Sequence, residues 1–403
     1  MPKNLKATLD KSSSAYAVAG DRSLLRRMNL LALLERIMDG PQTITQLADS
    51  TGLSRTAVDA IIDDLVPLGW AVVIDPEPRI GAGRPARAFR FRAEVGCVVG
   101  LDIGPHKIEV QISDLAGRAL FETRTEVDES LGAAERLSVA VALVHSALAG
   151  AGVSLGKVWI TAVGTPGVVQ GGVVQHILEM VGWQGLDLAS ALEDALGCYV
   201  VVENDVNLAV LAEHWLGVAK EATSVVYVLV GNRTGASIMT GGQLFRGFAG
   251  GAGELGALPE LGWLHSQENL SGVVVDGREL NRAEIFQSAV EGAPPAVDAV
   301  DRFSNAIATG VAAYVLALDP EVVVVGGGVS AAGKIFLEPL ERHVWERTIT
   351  RPEIRLSTLA DRSVTLGAVR LALDVVQGRL AAAVTGGSAF PAPSAELVRA
   401  TAK

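Results

Sequence analysis

Cysteine is nearly absent from this chain: Cys97 and Cys198 are the only two. Two thiols exclude a disulfide framework and any cysteine-rich zinc site, and a reducing cytoplasm is the simplest setting. No run of about 18 uninterrupted apolar residues exists, so no membrane span is expected. Met1 to Ser14 is rich in Lys and Ser and lacks the apolar stretch of a signal peptide. Charge is sparse too, at 20% of residues, while glycine numbers 44; this suits an α/β protein with many tight turns better than a disordered chain. With 49% of 403 residues hydrophobic, there is material for two or more cores.

A net charge of −11 argues at first against a nucleic-acid partner. Its distribution argues the other way. Residues 1–92 hold 13 Lys and Arg against 10 Asp and Glu, and the remainder holds 21 against 35. A mildly basic head on an acidic body fits one DNA-binding module joined to a domain that avoids DNA, although a chance asymmetry would look the same.

The head reads as three helices and a hairpin. Ser23 is expected to cap a helix whose apolar face carries Leu24, Leu25, Met28, Leu31, Leu34 and Ile37, stopped by Asp39-Gly40-Pro41. Thr43, with Gln46 three residues on, has the capping-box pattern for a short second helix. Gly52 supplies a sharp turn, Leu53 a core plug, and Ser54 the cap of a third helix with Val58, Ile61, Ile62 and Leu65 inward. Ser54, Arg55 and Thr56 then stand at the end that a helix-turn-helix points at base edges. Three helices in this pattern also occur in proteins that never meet DNA.

The hairpin after the third helix narrows the choice. Trp70 to Ile74 and Ala86 to Phe91 read as strands around a turn at Pro76 to Gly83. Arg79, Arg84, Arg87, Arg90 and Arg92 fall between Pro78 and Ala93 with no acid among them. A basic hairpin after a recognition helix is a wing, placed for phosphates or the minor groove. The plainer reading is a solvated hairpin whose arginines pair with the acidic body. Asp59, Asp63 and Asp64 would repel phosphate and are expected on the flank or against another protein surface.

The body alternates strands with glycine-bearing turns. Cys97 to Gly104 is a buried-type strand ending in Asp102-Ile103-Gly104, followed by strands at Lys107 to Ser113 and Ala119 to Val127. Val158 to Val163 leads into Gly164-Thr165-Pro166-Gly167, and Tyr199 to Val202 into Glu203-Asn204-Asp205-Val206-Asn207. Ser224 to Gly231 and Ala236 to Leu244 read as a hairpin, with Ala252-Gly253-Glu254-Leu255-Gly256 beyond it. Val322 to Val325 enters Gly326-Gly327-Gly328.

This ordered set resembles the ROK family (repressors, open reading frames and kinases) over roughly residues 20 to 375. Gly83-Arg84-Pro85 and the step into Gly100-Leu101-Asp102-Ile103-Gly104 look like its regulator branch. The resemblance implies a two-lobed, actin-like (ribonuclease-H-like) sugar-kinase fold behind the winged helix-turn-helix. The expected division is a flexible segment 1–20, a DNA-binding domain 21–92, a sensor domain 95–380 and a disordered tail 385–403. It implies that Asn204 and Glu254 bond sugar hydroxyls and that Asp205 is the base of a kinase. The plainer reading of Asp205 is a helix N-cap after a strand. Asp102, Gly104, Lys107, Gly231, Gly235, Gly326 and Gly327 match nucleotide-phosphate positions.

The departures bear on function. Arg233 and Ser237 replace glycines of the second phosphate loop, where glycine lets backbone approach phosphate. Arginine there would fill the γ-phosphate space or bind an anion of its own. Pro105 and His106 alter the first loop, and Pro105 removes a donor. The family's zinc motif is gone: its His is Ala257, its cysteines are absent, and His265 stands alone. A family Asn near Gly182-Trp183 is replaced by Glu179. No metal or other cofactor is expected, with ATP and Mg relevant only to a retained kinase.

Three functions are weighed. The leading one is a cytoplasmic transcriptional regulator, a repressor, bound to a duplex operator and answering a sugar or sugar phosphate. The second is an ATP-dependent sugar kinase carrying a DNA-binding head, and the third a protein-interaction module without a ligand. Such heads work in pairs, so a homodimer or tetramer is expected, with the helix from Val364 to Leu380 and the acidic body as candidate surfaces.

Overall fold

The computed structural model describes residues 22–74, 87–177 and 180–399. The N-terminal segment 1–20, the turn at 76–83, Arg79, Arg84, Glu179 and the last residues 400–403 lie outside the described residues. The chain forms two compact units. One gathers the residues up to Gly96, Asp114–Ala116 and those from Val375 onward; the other gathers Cys97–Ser113 and Gly117–Asp374.

In the first unit, α1 (Arg22–Met38), α2 (Ile44–Thr51) and α3 (Arg55–Leu68) precede a small sheet. Its strands β1 (Gln42–Thr43), β2 (Ala71–Ile74) and β3 (Ala88–Phe91) lie in the order β1-β3-β2, with β3 antiparallel to both neighbours. Thr43 and Gln46 form the capping box in both directions. Gly52 ends α2 in the left-handed region at φ 72°, and Ser54 caps α3 by accepting the Ala57 N–H. Val58, Ile61, Ile62 and Leu65 are buried, as their spacing predicts, and Leu53 is half-buried.

The first helix differs from expectation. It begins at Arg22, so Ser23 lies inside it and accepts from the Arg27 guanidinium instead of capping. Its buried face is Arg27, Leu30, Leu33, Leu34 and Ile37, while Leu25 and Met28 are exposed. The face is rotated because the C-terminal segment covers it: Arg27 donates to the carbonyls of Val384 and Ser388.

That segment corrects a second expectation. Residues 387–399 are ordered against the head and close with α11 (Glu396–Arg399). Phe390, Leu397 and Val398 are buried, and the Trp70 indole N–H donates to the Pro391 carbonyl at 2.7 Å. Composition favoured disorder, but three apolar side chains with a docking surface outweigh it.

The second unit holds two five-stranded sheets. The first contains β4 (Cys97–Ile103), β5 (Lys107–Asp114), β6 (Ala119–Glu126), β7 (Val158–Thr165) and β10 (Tyr199–Asn204), the short hairpin β8 (Val168–Gln170) and β9 (Val173–His176) lying between the last two. The second contains β11 (Val225–Val230), β12 (Thr234–Thr240), β13 (Gln243–Leu244), β16 (Val322–Gly326) and β17 (Glu353–Leu356), with β14 (Val274–Val275) and β15 (Arg278–Glu279) as a separate hairpin. Their orders are β6-β5-β4-β7-β10 and β13-β12-β11-β16-β17. Numbered by appearance, both run 3-2-1-4-5, so the lobes repeat one topology. Strand β4 is buried at every position, as a central strand covered on both faces must be, whereas β6 alternates as an edge does. The expected single strand Ala236 to Leu244 is two, because Gly241 and Gly242 turn the chain at φ 60° and 73°.

Helices α4 (Ala133–Gly150), α5 (Leu188–Leu196), α6 (Asp205–Trp215), α7 (Arg282–Val290), α8 (Pro294–Leu318), α9 (Lys334–Trp345) and α10 (Ser363–Gly386) complete the chain. Among the described residues α4 alone has the length and hydropathy of a membrane span. It carries Glu135, Arg136 and His145, and its Ala140, Val144, Ala147 and Leu148 sit in the core of the first lobe.

Candidate functional site

At the head, Ser54, Arg55 and Thr56 occupy the exposed N-terminal end of α3, with Asp59 and Asp63 exposed farther along. Asp64 is turned aside: Arg26 on α1 holds it at 2.6 Å. Of the hairpin arginines, Arg87 is exposed and lies 5.8 Å from the Phe89 ring centroid. Arg90 is already engaged, since Glu94 pairs with it through both carboxylate oxygens. That bond holds the Glu94 pKa down at about 2. Its partner is thus a local acid, a pairing that alternation along the strand did not reveal.

In the second unit, Asn204 ends β10 and caps α6, so Asp205 is the first residue of the helix and not its cap. The Asn204 side chain accepts from the Asn207 N–H and donates to the Gly167 carbonyl. Gly167 turns at φ 96°, where a Cβ would stand 2.3 Å from the His176 carbonyl. The Asp205 carboxylate is half-buried and accepts its neighbour's N–H.

Behind these residues runs a buried polar chain that motif matching missed. Glu203 accepts from Asn207 and from Arg246, and Asn207 accepts from Ser237 at 2.6 Å. Ser237 is fully buried on β12. It lies beyond the tight turn 231–233, and its hydroxyl ties β12 to α6 through Asn207. Glu254 is exposed, in the first turn of a 3-10 segment Glu254–Ala257. Although the residue is exposed, partial desolvation of its carboxyl pushes its pKa up, and His176 pulls the other way.

At the expected phosphate positions, two backbone donors are engaged within their own turns. The Gly104 N–H is bonded to the Lys107 carbonyl, and the Gly231 N–H to that of Arg233. Lys107 pairs with Glu109 at 2.8 Å. Buried Arg136 donates to the carbonyls of Gly104 and Pro105. His106 Nε2 accepts from Asn232 of the other lobe at 3.1 Å, an assignment that leaves Nδ1 to donate to Glu129. Asn232 accepts in turn from Arg282. Arg233 is exposed. Gly235 faces Val206, a Cβ at Gly326 would strike the Tyr227 ring, and Gly327 turns at φ 86° against the Val230 carbonyl. Packing thus explains these glycines without a nucleotide. Asp102 is buried, and desolvation pushes its pKa up to about 8 against the pull of Lys107.

The ROK family model matches residues 98–260 and 264–375. A xylose repressor from Caldicellulosiruptor bescii is 26% identical over 391 residues, spanning 88% of this chain and 98% of that protein. A glucokinase from Halalkalibacterium halodurans is 26% identical over 306 residues, spanning 67% of this chain and 92% of its own. A crystal structure of a ROK family transcriptional regulator, a homologue of the E. coli MLC protein, superposes with a TM-score of 0.69 at 19% identity, covering 90% of this chain and all of that one. With the family model spanning more than half its length, the chain belongs to the ROK family.

Proposed function

We infer that this protein is a transcriptional repressor that binds an operator through its winged helix-turn-helix and responds to a sugar held by its kinase-like domain. The observation carrying this is the head itself. The repressor relative matches 88% of the chain, whereas the glucokinase matches 67%. Ser54, Arg55 and Thr56 read bases, and Arg87, with Arg79 and Arg84, meets phosphates. Asn204, Asp205 and Glu254 bind sugar hydroxyls, and the reading assigns no metal or nucleotide. It operates in the cytoplasm as a homo-oligomer, because one recognition helix contacts few bases.

Selection from genomic duplexes is expected to return one operator class, bound with steep salt dependence. Arg55→Ala should cost about 1–3 kcal/mol of operator affinity and relax sequence preference. Binding that ignores salt, or no selected fragment, overturns the reading.

A second reading, a kinase with a DNA-binding head, is favoured by the half-buried carboxylate of Asp205 beside Asn204. The pairing of Lys107 with Glu109 and the His106–Asn232 bridge weigh against it. A coupled assay with ATP across hexoses and amino sugars is expected to show no turnover. Turnover abolished by Asp205→Asn would reverse the ranking.

A further inference from the structure

Glu254 stands in a 3-10 segment of its own and not on the strand-to-helix junction that carries Asn204 and Asp205. The family resemblance places a zinc-bound loop behind it, and the residues here do not fit one. Ala257 offers no donor and no cysteine lies in residues 254–270. His265 and Glu268 are exposed and paired with each other at 2.8 Å.

Aromatic packing occupies that place instead. Trp263 and Tyr314 are both about 2% exposed, with ring centroids 6.1 Å apart. The indole lies against α8 where Gly310 leaves room; a Cβ there would stand 2.3 Å from Trp263 Cε2. The Trp263 N–H donates to the Ile307 carbonyl at 3.1 Å. Four residues beyond Gly310 on the same helix, the Tyr314 hydroxyl donates to the Gly253 carbonyl at 2.5 Å. Gly253 sits at φ 99°, where a Cβ would be 2.4 Å from the Ala236 carbonyl of β12. The residue before Glu254 is therefore pinned from two sides, by a strand backbone and by a buried phenol. Gln267 of the same segment donates to the Gly231 carbonyl at 2.6 Å, fastening the 231–233 turn as well.

We propose that Trp263 and Tyr314 form an aromatic brace, in place of a metal-bound loop, and that Tyr314 is the positioning residue that sets Glu254 for a sugar hydroxyl. The proposal rests on the sugar-sensor reading and specifies how one of its ligands is held. Tyr314→Phe keeps the ring in the core and removes only the hydroxyl, which donates to the Gly253 carbonyl and accepts from the Leu255 N–H on either side of Glu254.

Calorimetric titration of the full chain with D-xylose, D-glucose and N-acetyl-D-glucosamine identifies a sugar that the wild type binds. For that sugar, Tyr314→Phe is expected to weaken binding about tenfold. Glu254→Gln should weaken it at least as much, and the double variant no more than Glu254→Gln, because Tyr314 acts through Glu254. Binding should persist in EDTA. A wild type that binds none of the three sinks the sugar-sensor reading and the brace's role together. Wild-type binding that Tyr314→Phe leaves unchanged, losses that add in the double variant, or binding lost in EDTA sinks the brace alone.

Discussion

Burial of the Asp102 carboxyl against β7 raises its pKa from 3.8 to about 8, with desolvation as the main cause. Below pH 4 folded and unfolded chains both hold this proton. Between about pH 4 and 8 only the folded chain does, so Asp102 lowers stability progressively as pH rises through that window. Asp102→Asn removes the titration. Its melting temperature should fall less than the wild type's between pH 5 and pH 8, and equal falls in thermal melts would refute the assignment. The identities of Asp102, Lys107 and Ser237 are plain in the sequence, but their partners are not. Glu109 sits two residues along the same strand from Lys107, and Asn207 lies thirty residues before Ser237. The first pair shares a face of one strand, but the second depends on which strand faces which helix, and motif spacing carries no record of it.

Among the elements, those with local signals were the legible ones. The Thr43 capping box, the Ser54 cap, the Gly52 turn and the inward stripe of α3 follow from neighbouring residues alone. The phase of α1 did not, because the segment that covers Arg27 arrives more than 350 residues later. That segment yields a prediction. Ending the chain at Gly386 removes the burial of Phe390, Leu397 and Val398, each on the order of 1.5–3 kcal/mol, and the carbonyl that Trp70 bonds. The truncated chain should lose operator affinity and show a lower first transition in calorimetric melting; full affinity and an unchanged melt would show the segment dispensable.

For the molecule as a whole, the regulatory reading demands reciprocity. If a sugar weakens operator binding by some factor, the operator must weaken sugar binding by the same factor. Titrating the sugar with and without saturating duplex checks this, and a sugar affinity blind to DNA would end the claim that one ligand controls the other. At a hundredfold excess over its Kd, the sugar should add about 2.7 kcal/mol to the stability of the domain that binds it, seen as a raised melting temperature.

The sequence by itself determined the three-helix head with its returning strands and the order of strands and helices, because caps, periodicity and glycine turns act within a few residues; Asn204, Asp205 and Glu254 were singled out by the family resemblance. Only the tertiary structure decided what those positions face. His106 meets Asn232, the tail covers the head, and Tyr314 holds Gly253. Most of these are contacts between segments far apart in the chain, and closing them depends on the packing of whole elements, which no local pattern encodes.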